Sequence, residues 1–218
     1  MDFRKYLAEF LGAFGLIFIG AGAVLVNGLT GGAVTLVGIA LAHGLVLMTM
    51  IYGLAHISGA HFNPAVTIAM LVNKKIELKE AIGYIISQLF GASIAGFLLL
   101  FLYPSATSAQ LYGFPEAIPF VFGIVLEAVL TFFLVLTIYG TAVNKKAPSG
   151  FFGLAIGSVL IYDIILGGTQ TGAAMNPARA FGPALSSGIW GPQIIYWVGP
   201  IVGAVLASFV YEYLMKEK

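Results

Sequence analysis

The chain has 218 residues, 60% of them hydrophobic and 9% charged, with a formal net charge of +1. An ordinary soluble domain carries about 25% charged residues, so this composition cannot cover a water-facing surface and implies a protein that crosses the membrane repeatedly. A near-neutral chain without a basic stripe has no footing for nucleic acid, and the absence of cysteine excludes disulfides, thiolate metal sites and cysteine nucleophiles.

The first apolar run covers 6–27, directly after "MDFRK". No small-residue cleavage site follows a short apolar core, so it reads as a first span and not as a removed signal. The turn-forming "NGLTGG" leads to a second run over 34–55. Next comes "HISGAHFNPAVTIAMLV", in which the apolar stretch after Asn63 lasts about ten residues before Asn73-Lys74-Lys75. At about 1.5 Å per residue such a helix reaches roughly 15 Å, half of the hydrocarbon core. Further spans are predicted over 81–103, 117–140 and 151–168, separated by the loops "YPSATSAQLYGFPEAIP" and "NKKAPSG". A second short segment, "GGTQTGAAMNPARAFGPALSS", begins its helix at Asn176 and ends near Ser187, and a last span covers 190–214. In both short segments Asn is a favoured N-cap, and Pro suits the first helical position because its missing N–H is not needed there.

The cations test this layout. With six crossings, Arg4, Lys5, Lys74, Lys75, Lys79, Lys145, Lys146, Lys216 and Lys218 all fall on one side, and the opposite loops contain no Lys or Arg except Arg179. The positive-inside rule then places both termini in the cytoplasm, in a multi-pass protein expected in the cell membrane. The two short segments sit on opposite sides, so they are expected to be re-entrant half-helices that meet at the midplane. Non-helical backbone at membrane depth survives only when buried in protein or lining a cavity, so their loops imply a pore or a substrate cavity.

Internal repetition supports this reading. "AEFLGAFGLIF" (8–18) resembles "LEAVLTFFLVL" (126–136), pairing Glu9 with Glu127, and "SQLFGASIAG" (87–96) resembles "IYWVGPIVGA" (195–204). A single channel domain, 1–218, is expected, built of two repeats over 1–103 and 117–218. Three spans plus one half-helix per repeat make the repeats inverted. The expected fold is therefore an all-α membrane protein with six transmembrane helices and two re-entrant half-helices. Small residues such as Gly12, Gly15, Gly91, Gly199 and Gly203 suit close helix contacts.

The two Asn-Pro-Ala segments, the paired glutamates and the six-span layout resemble the aquaporin, or major intrinsic protein, family over essentially the whole length. The resemblance implies a passive water channel that excludes protons and ions, with no cofactor or metal, and a homotetramer in the lipid bilayer. It places the amides of Asn63 and Asn176 in the lumen, where they donate hydrogen bonds to passing water. The half-helix N-termini add roughly half an elementary charge each, which opposes cations. It makes Glu9 and Glu127 supports of the re-entrant loops. Leu16 and Leu134 become apolar lumen positions, and Gly59, Ala60, His61, Gly172 and Ala174 line the pore. For His56 and His61 a structural role competes with a gating one.

Arg179 matches the arginine of the family's external constriction, and its first-half counterpart is Val66. The other constriction positions are His43, 20 residues before Asn63, and Ile164 and Ala173, 12 and three before Asn176. This set is similar to the plant vacuolar-membrane type, which is broader in solute choice than strict water channels. It implies passage of ammonia, with urea or glycerol less firmly indicated. Ala180 and Ala184 stand where glycerol facilitators carry Asp and a basic residue, which favours water first. Asp163 matches no family role. A junctional protein with a closed pore and a coupled transporter are the competing readings. No nucleophile–base constellation suggests an enzyme.

Overall fold

The computed structural model describes residues 2–115 and 117–214, so Lys216 and Lys218 lie outside the described residues. Nine α-helices are present among them, together with one π-turn. They are α1 Phe3–Leu29, α2 Thr35–Ser58, α3 Pro64–Val72, α4 Leu78–Leu102, α5 Ser108–Tyr112, α6 Phe120–Ile138, α7 Phe152–Gly167, α8 Pro177–Ser187 and α9 Gln193–Leu214. Tyr139–Val143 continue α6 as the π-turn.

Five of these helical stretches are long and apolar enough to cross a membrane. The sixth span, α7, has 16 residues and rises only about 24 Å, short of about 30 Å of hydrocarbon. The half-helices α3 and α8 have 9 and 11 residues, as their short apolar runs require. The loop "YPSATSAQLYGFPEAIP" contains a short helix, α5. Thr107 and Gln110 cap each other reciprocally there, and Gly113 closes the helix in the left-handed region at φ 69°. At the N-terminus the Asp2 side chain accepts from Arg4 N, and Arg4 forks back onto its carboxylate at 2.9 and 2.8 Å. The hydrogen bonds from Arg4 hold the Asp2 pKa down at about 2, so the cap of α1 stays ionised at neutral pH.

The packing is cross-paired. α1 packs on α2 and α4, and α6 packs on α7 and α9. The half-helices exchange: α8 packs on α4, α3 packs on α9, and α3 and α8 touch each other. The two groups also join where α2 crosses α7, at Gly44 and Gly157. A Cβ on Gly44 would lie 2.5 Å from the Gly157 carbonyl oxygen, and one on Gly157 would lie 2.6 Å from that of Gly44. Neither backbone leaves room for a side chain. Gly91, Gly199 and Gly203 likewise abut the carbonyls of Phe10, Ile124 and Ala128 within the chain, so their small size serves the monomer.

Polarity is inverted relative to a soluble protein. Phe101, Val121 and Leu166 are 78, 72 and 65% exposed, whereas Glu9, Gln88, Glu127, Asn63, Asn176 and Arg179 are buried. Such an apolar exterior around a polar interior fits hydrocarbon as the surrounding solvent.

Candidate functional site: a lumen between two half-helices

Each half-helix begins from a loop in strained backbone. In the first loop Gly59, Ala60 and Phe62 have φ of 87, 54 and 51°, and in the second Gly172, Ala173 and Met175 have 87, 46 and 50°. Left-handed geometry at four non-glycine residues has a conformational cost, so the surroundings must impose it. The two buried glutamates do so. Glu9 Oε1 accepts from Ser58 Oγ at 2.7 Å and His61 N at 2.9 Å. Its Oε2 accepts from Phe62 N and Gln88 Nε2, both at 2.7 Å. Glu127 Oε1 accepts from Thr171 Oγ1 at 2.6 Å and Ala174 N at 3.0 Å, and Oε2 accepts from Met175 N at 2.7 Å. These are charge-assisted bonds in a dry interior, the strong kind.

The asparagines then join the halves. Asn63 Oδ1 caps α3 by accepting from Ala65 N at 2.9 Å, and Asn176 Oδ1 caps α8 by accepting from Ala178 N at 3.0 Å. Asn63 Nδ2 donates to Met175 O at 2.8 Å, and Asn176 Nδ2 donates to Phe62 O at 2.9 Å. An amide NH2 has two hydrogens. One of each pair is therefore committed to the opposite loop, and one remains for the lumen.

A cavity of about 460 Å³ runs past this junction. Of the residues singled out by sequence, Leu16, Leu134, His43, Gly59, Ala60, His61, Asn63, Ala173, Ala174, Asn176 and Arg179 bound it. Ile164 and Gly172 do not. Ile164 is buried on α7, and Gly172 lies against the Phe114 ring. Val66 and His56 also line the cavity, and Lys75, Ala142 and Val143 border its other end. There Lys75 Nζ pairs with Glu212 Oε1 at 2.9 Å.

Arg179 is held from two sides. Its Nε donates to His43 Nε2 at 3.1 Å, while His43 Nδ1 lies 2.9 Å from Ile39 O. A carbonyl only accepts and the Arg Nε–H only donates, so both bonds together require the neutral Nδ1–H tautomer. The guanidinium carbon sits 4.4 Å from the centroid of the Phe114 ring. Arg179 borders the cavity, and its Nη1 is buried with no hydrogen-bond acceptor among the described residues.

Several residues here were not singled out by sequence. Ser58 and Thr171 stand at the same offset before Asn63 and Asn176, a repeat signal that could have found them. Phe114 arrives from the loop beside α5 and carries no such signal. Among the described residues there is no cluster of three or more His, Cys, Asp or Glu that could hold a metal.

Two half-helices meeting N-terminus to N-terminus across a lumen, inside six membrane spans, define a helical membrane channel. The model of the family described as "Major intrinsic protein" matches residues 1–211, and the chain belongs to that family. It is 40% identical to Aquaporin AqpM of Methanothermobacter thermautotrophicus over 243 aligned positions, covering 98% of each chain. It is 39% identical to Aquaporin TIP4-4 of Zea mays, covering 96% of this chain and 85% of that one. Among solved structures, the aquaglyceroporin from Plasmodium falciparum matches with a TM-score of 0.81 and 29% identity, over 99% of this chain and 97% of that one.

Proposed function

We propose that the chain is a passive channel that conducts water and excludes protons and ions. The observation that carries this reading is the pair of asparagine amides at the junction of the half-helices. Both present donors, and both helix N-termini point positive charge at the same place. A water at the centre accepts from both sides and cannot pass a proton along an unbroken donor–acceptor chain. Arg179 adds a second, one-sided barrier to cations. Stopped-flow shrinkage of proteoliposomes tests the reading. Shrinkage faster than in empty vesicles, without ion dependence, supports the channel. A rate equal to bare lipid would favour the junctional protein, and an ion-dependent rate the coupled transporter.

The set of His43, Ile164, Ala173 and Arg179 resembles the plant vacuolar-membrane type, and His43, Ala173 and Arg179 of it border the cavity while Ile164 is buried on α7. With His43 occupied by Arg179 and Ile39, it offers one charged corner in otherwise apolar walls. That chemistry suits small neutral solutes, so ammonia passage is proposed, with urea and glycerol as further members of the panel. Uptake of all three no faster than in empty vesicles removes this part.

The same reading carries two inverted repeats, 1–103 and 117–218, in a single channel domain of a homotetramer. Both termini lie in the cytoplasm of a multi-pass protein of the cell membrane. The cross-paired helices and the matched glutamate–loop bonds support the repeats, and the one-sided distribution of Lys and Arg supports the orientation.

A further inference from the structure

The two re-entrant loops share one contact that the repeat does not explain. The carbonyl of Ser58, at the head of the first loop, accepts from Tyr84 Oη at 2.7 Å. The carbonyl of Thr171, at the head of the second, accepts from Tyr196 Oη at 2.6 Å. Both tyrosines are fully buried. Yet they do not occupy matched positions: aligning 87–96 with 195–204 places Tyr196 opposite Gln88, and Tyr84 one turn earlier on its helix. The same carbonyl is therefore tied down by two different routes, and the two routes lead to different places.

Tyr84 leads to the cytoplasmic surface. Its hydroxyl lies 3.4 Å from Glu80 Oε1, and the same oxygen accepts from Lys5 Nζ at 2.6 Å. The Lys5 and Glu80 side chains are 40 and 26% exposed, so this pair meets solvent. On the other side, the His61 ring stands edge-on to the Tyr84 ring at 5.2 Å, and His61 borders the lumen. His61 Nδ1 lies 3.1 Å from Thr67 Oγ1, and Thr67 also accepts from Gln88 Nε2 at 3.0 Å. The single hydroxyl hydrogen of Tyr84 is directed mainly at Ser58 O, with Glu80 Oε1 as a weak second acceptor, and the contacts run from a surface ion pair through one tyrosine to a lumen-facing side chain. Among the described residues Tyr196 makes no such connection. Its ring packs on Phe114 at 4.8 Å, towards the external filter.

We propose that Tyr84 is a positioning residue for conduction, and that the Lys5–Glu80 pair holds it there, so that the cytoplasmic surface sets the geometry of the first loop. The inference rests on the water-channel reading. The hydroxyl fixes which way the Ser58 carbonyl turns, and Gly59, Ala60 and His61 follow it along the lumen. A hydrogen-bonding surface displaced by a fraction of an ångström changes the free energy along the water file without closing the pore.

The test is a double-mutant cycle in proteoliposomes with Tyr84→Phe, Glu80→Gln and both together. Water permeability per reconstituted protein and its activation energy are the readouts. Leaving a buried carbonyl without its donor lowers the per-channel permeability of Tyr84→Phe about fivefold and raises its activation energy. Glu80→Gln lies at the surface and does not endanger the fold. It lowers permeability about twofold, in keeping with a partly exposed pair. In the Tyr84→Phe background it has no further effect, because the connection is already cut. If either single variant conducts as wild type does, or if the two losses multiply independently, the inference is overturned. A change in melting temperature with unchanged activation energy also overturns it, since that is all a structural tyrosine would produce. Wild-type vesicles that shrink no faster than bare lipid would overturn the channel reading itself, and this inference with it.

Discussion

Asn63 and Asn176 are each bonded to the residue that precedes the other: Asn63 Nδ2 to Met175 O at 2.8 Å, and Asn176 Nδ2 to Phe62 O at 2.9 Å. The reciprocity locks two separate half-helices into one element where their N-termini meet. It also means that each amide serves the fold with one hydrogen and the lumen with the other. Asn63→Asp separates these duties. The carboxylate still caps α3 through an oxygen, but it cannot donate to Met175 O or to water, and it brings negative charge to the centre. Proton permeability, followed with a pH-sensitive dye inside vesicles, is expected to rise about tenfold while the helix start survives. An unchanged proton leak would count against the central barrier.

The filter proposed around Arg179 depends on one charge. Arg179→Val reproduces the Val66 side chain of the other half and removes the donor that faces His43 as well as the cation above Phe114. Water permeability is expected to persist, and urea and glycerol uptake to increase about tenfold, because a bulky charged corner is replaced by a smaller apolar one. His43→Phe acts in the opposite direction. It fills the space with a larger ring and is expected to slow all three solutes relative to water. A solute panel run on both variants separates size from charge.

The loop glutamates are unequal. Glu9 accepts four donors, from Ser58, His61, Phe62 and Gln88, and Glu127 accepts three, from Thr171, Ala174 and Met175. In Glu→Gln variants an NH2 replaces one acceptor oxygen and confronts an N–H that needs one. Each change is expected to destabilise by about 2–4 kcal/mol, Glu9→Gln more than Glu127→Gln. Thermal unfolding in detergent measures the order, and equal melting temperatures would contradict it.

Asp163 carries a different expectation. It is 2% exposed, and among the described residues its Oδ2 has no hydrogen-bond partner and no cation forms an ion pair with it. It does not border the cavity. A buried carboxyl without a partner opposes folding. Asp163→Asn keeps its shape without the acid, and is expected to raise stability by about 1 kcal/mol with water permeability unchanged. A loss of stability would reveal a bonded role for the carboxyl.

Some of the site was legible because the chain states it twice. Asn63 with Asn176 and Glu9 with Glu127 are matched pairs, and a feature written twice in a hydrophobic chain stands out from chance. Arg179 stood out for the opposite reason, as the one Lys or Arg outside the segments that carry the others. Tyr84 and Tyr196 were not legible as a pair, since they reach equivalent carbonyls from different registers. Phe114 was not legible at all. Its place over Arg179 depends on how α5 and its closing glycine direct the following loop, and nothing in the local sequence encodes the distance to a residue 65 positions later.

Composition, the length of apolar runs and the side on which cations fall settled what the chain by itself could settle: six crossings, two helices too short to cross, and the loops that start them. These follow from local rules, because hydrocarbon thickness and helical rise are fixed and the backbone must satisfy itself within each segment. The tertiary structure alone decided the partners. It assigned one amide hydrogen of each asparagine to the opposite loop, committed His43 to Arg179, and connected the first loop to the Lys5–Glu80 pair on the surface. Hydrogen bonds between residues 75 to 136 positions apart depend on the packing of whole helices, and no local pattern specifies them.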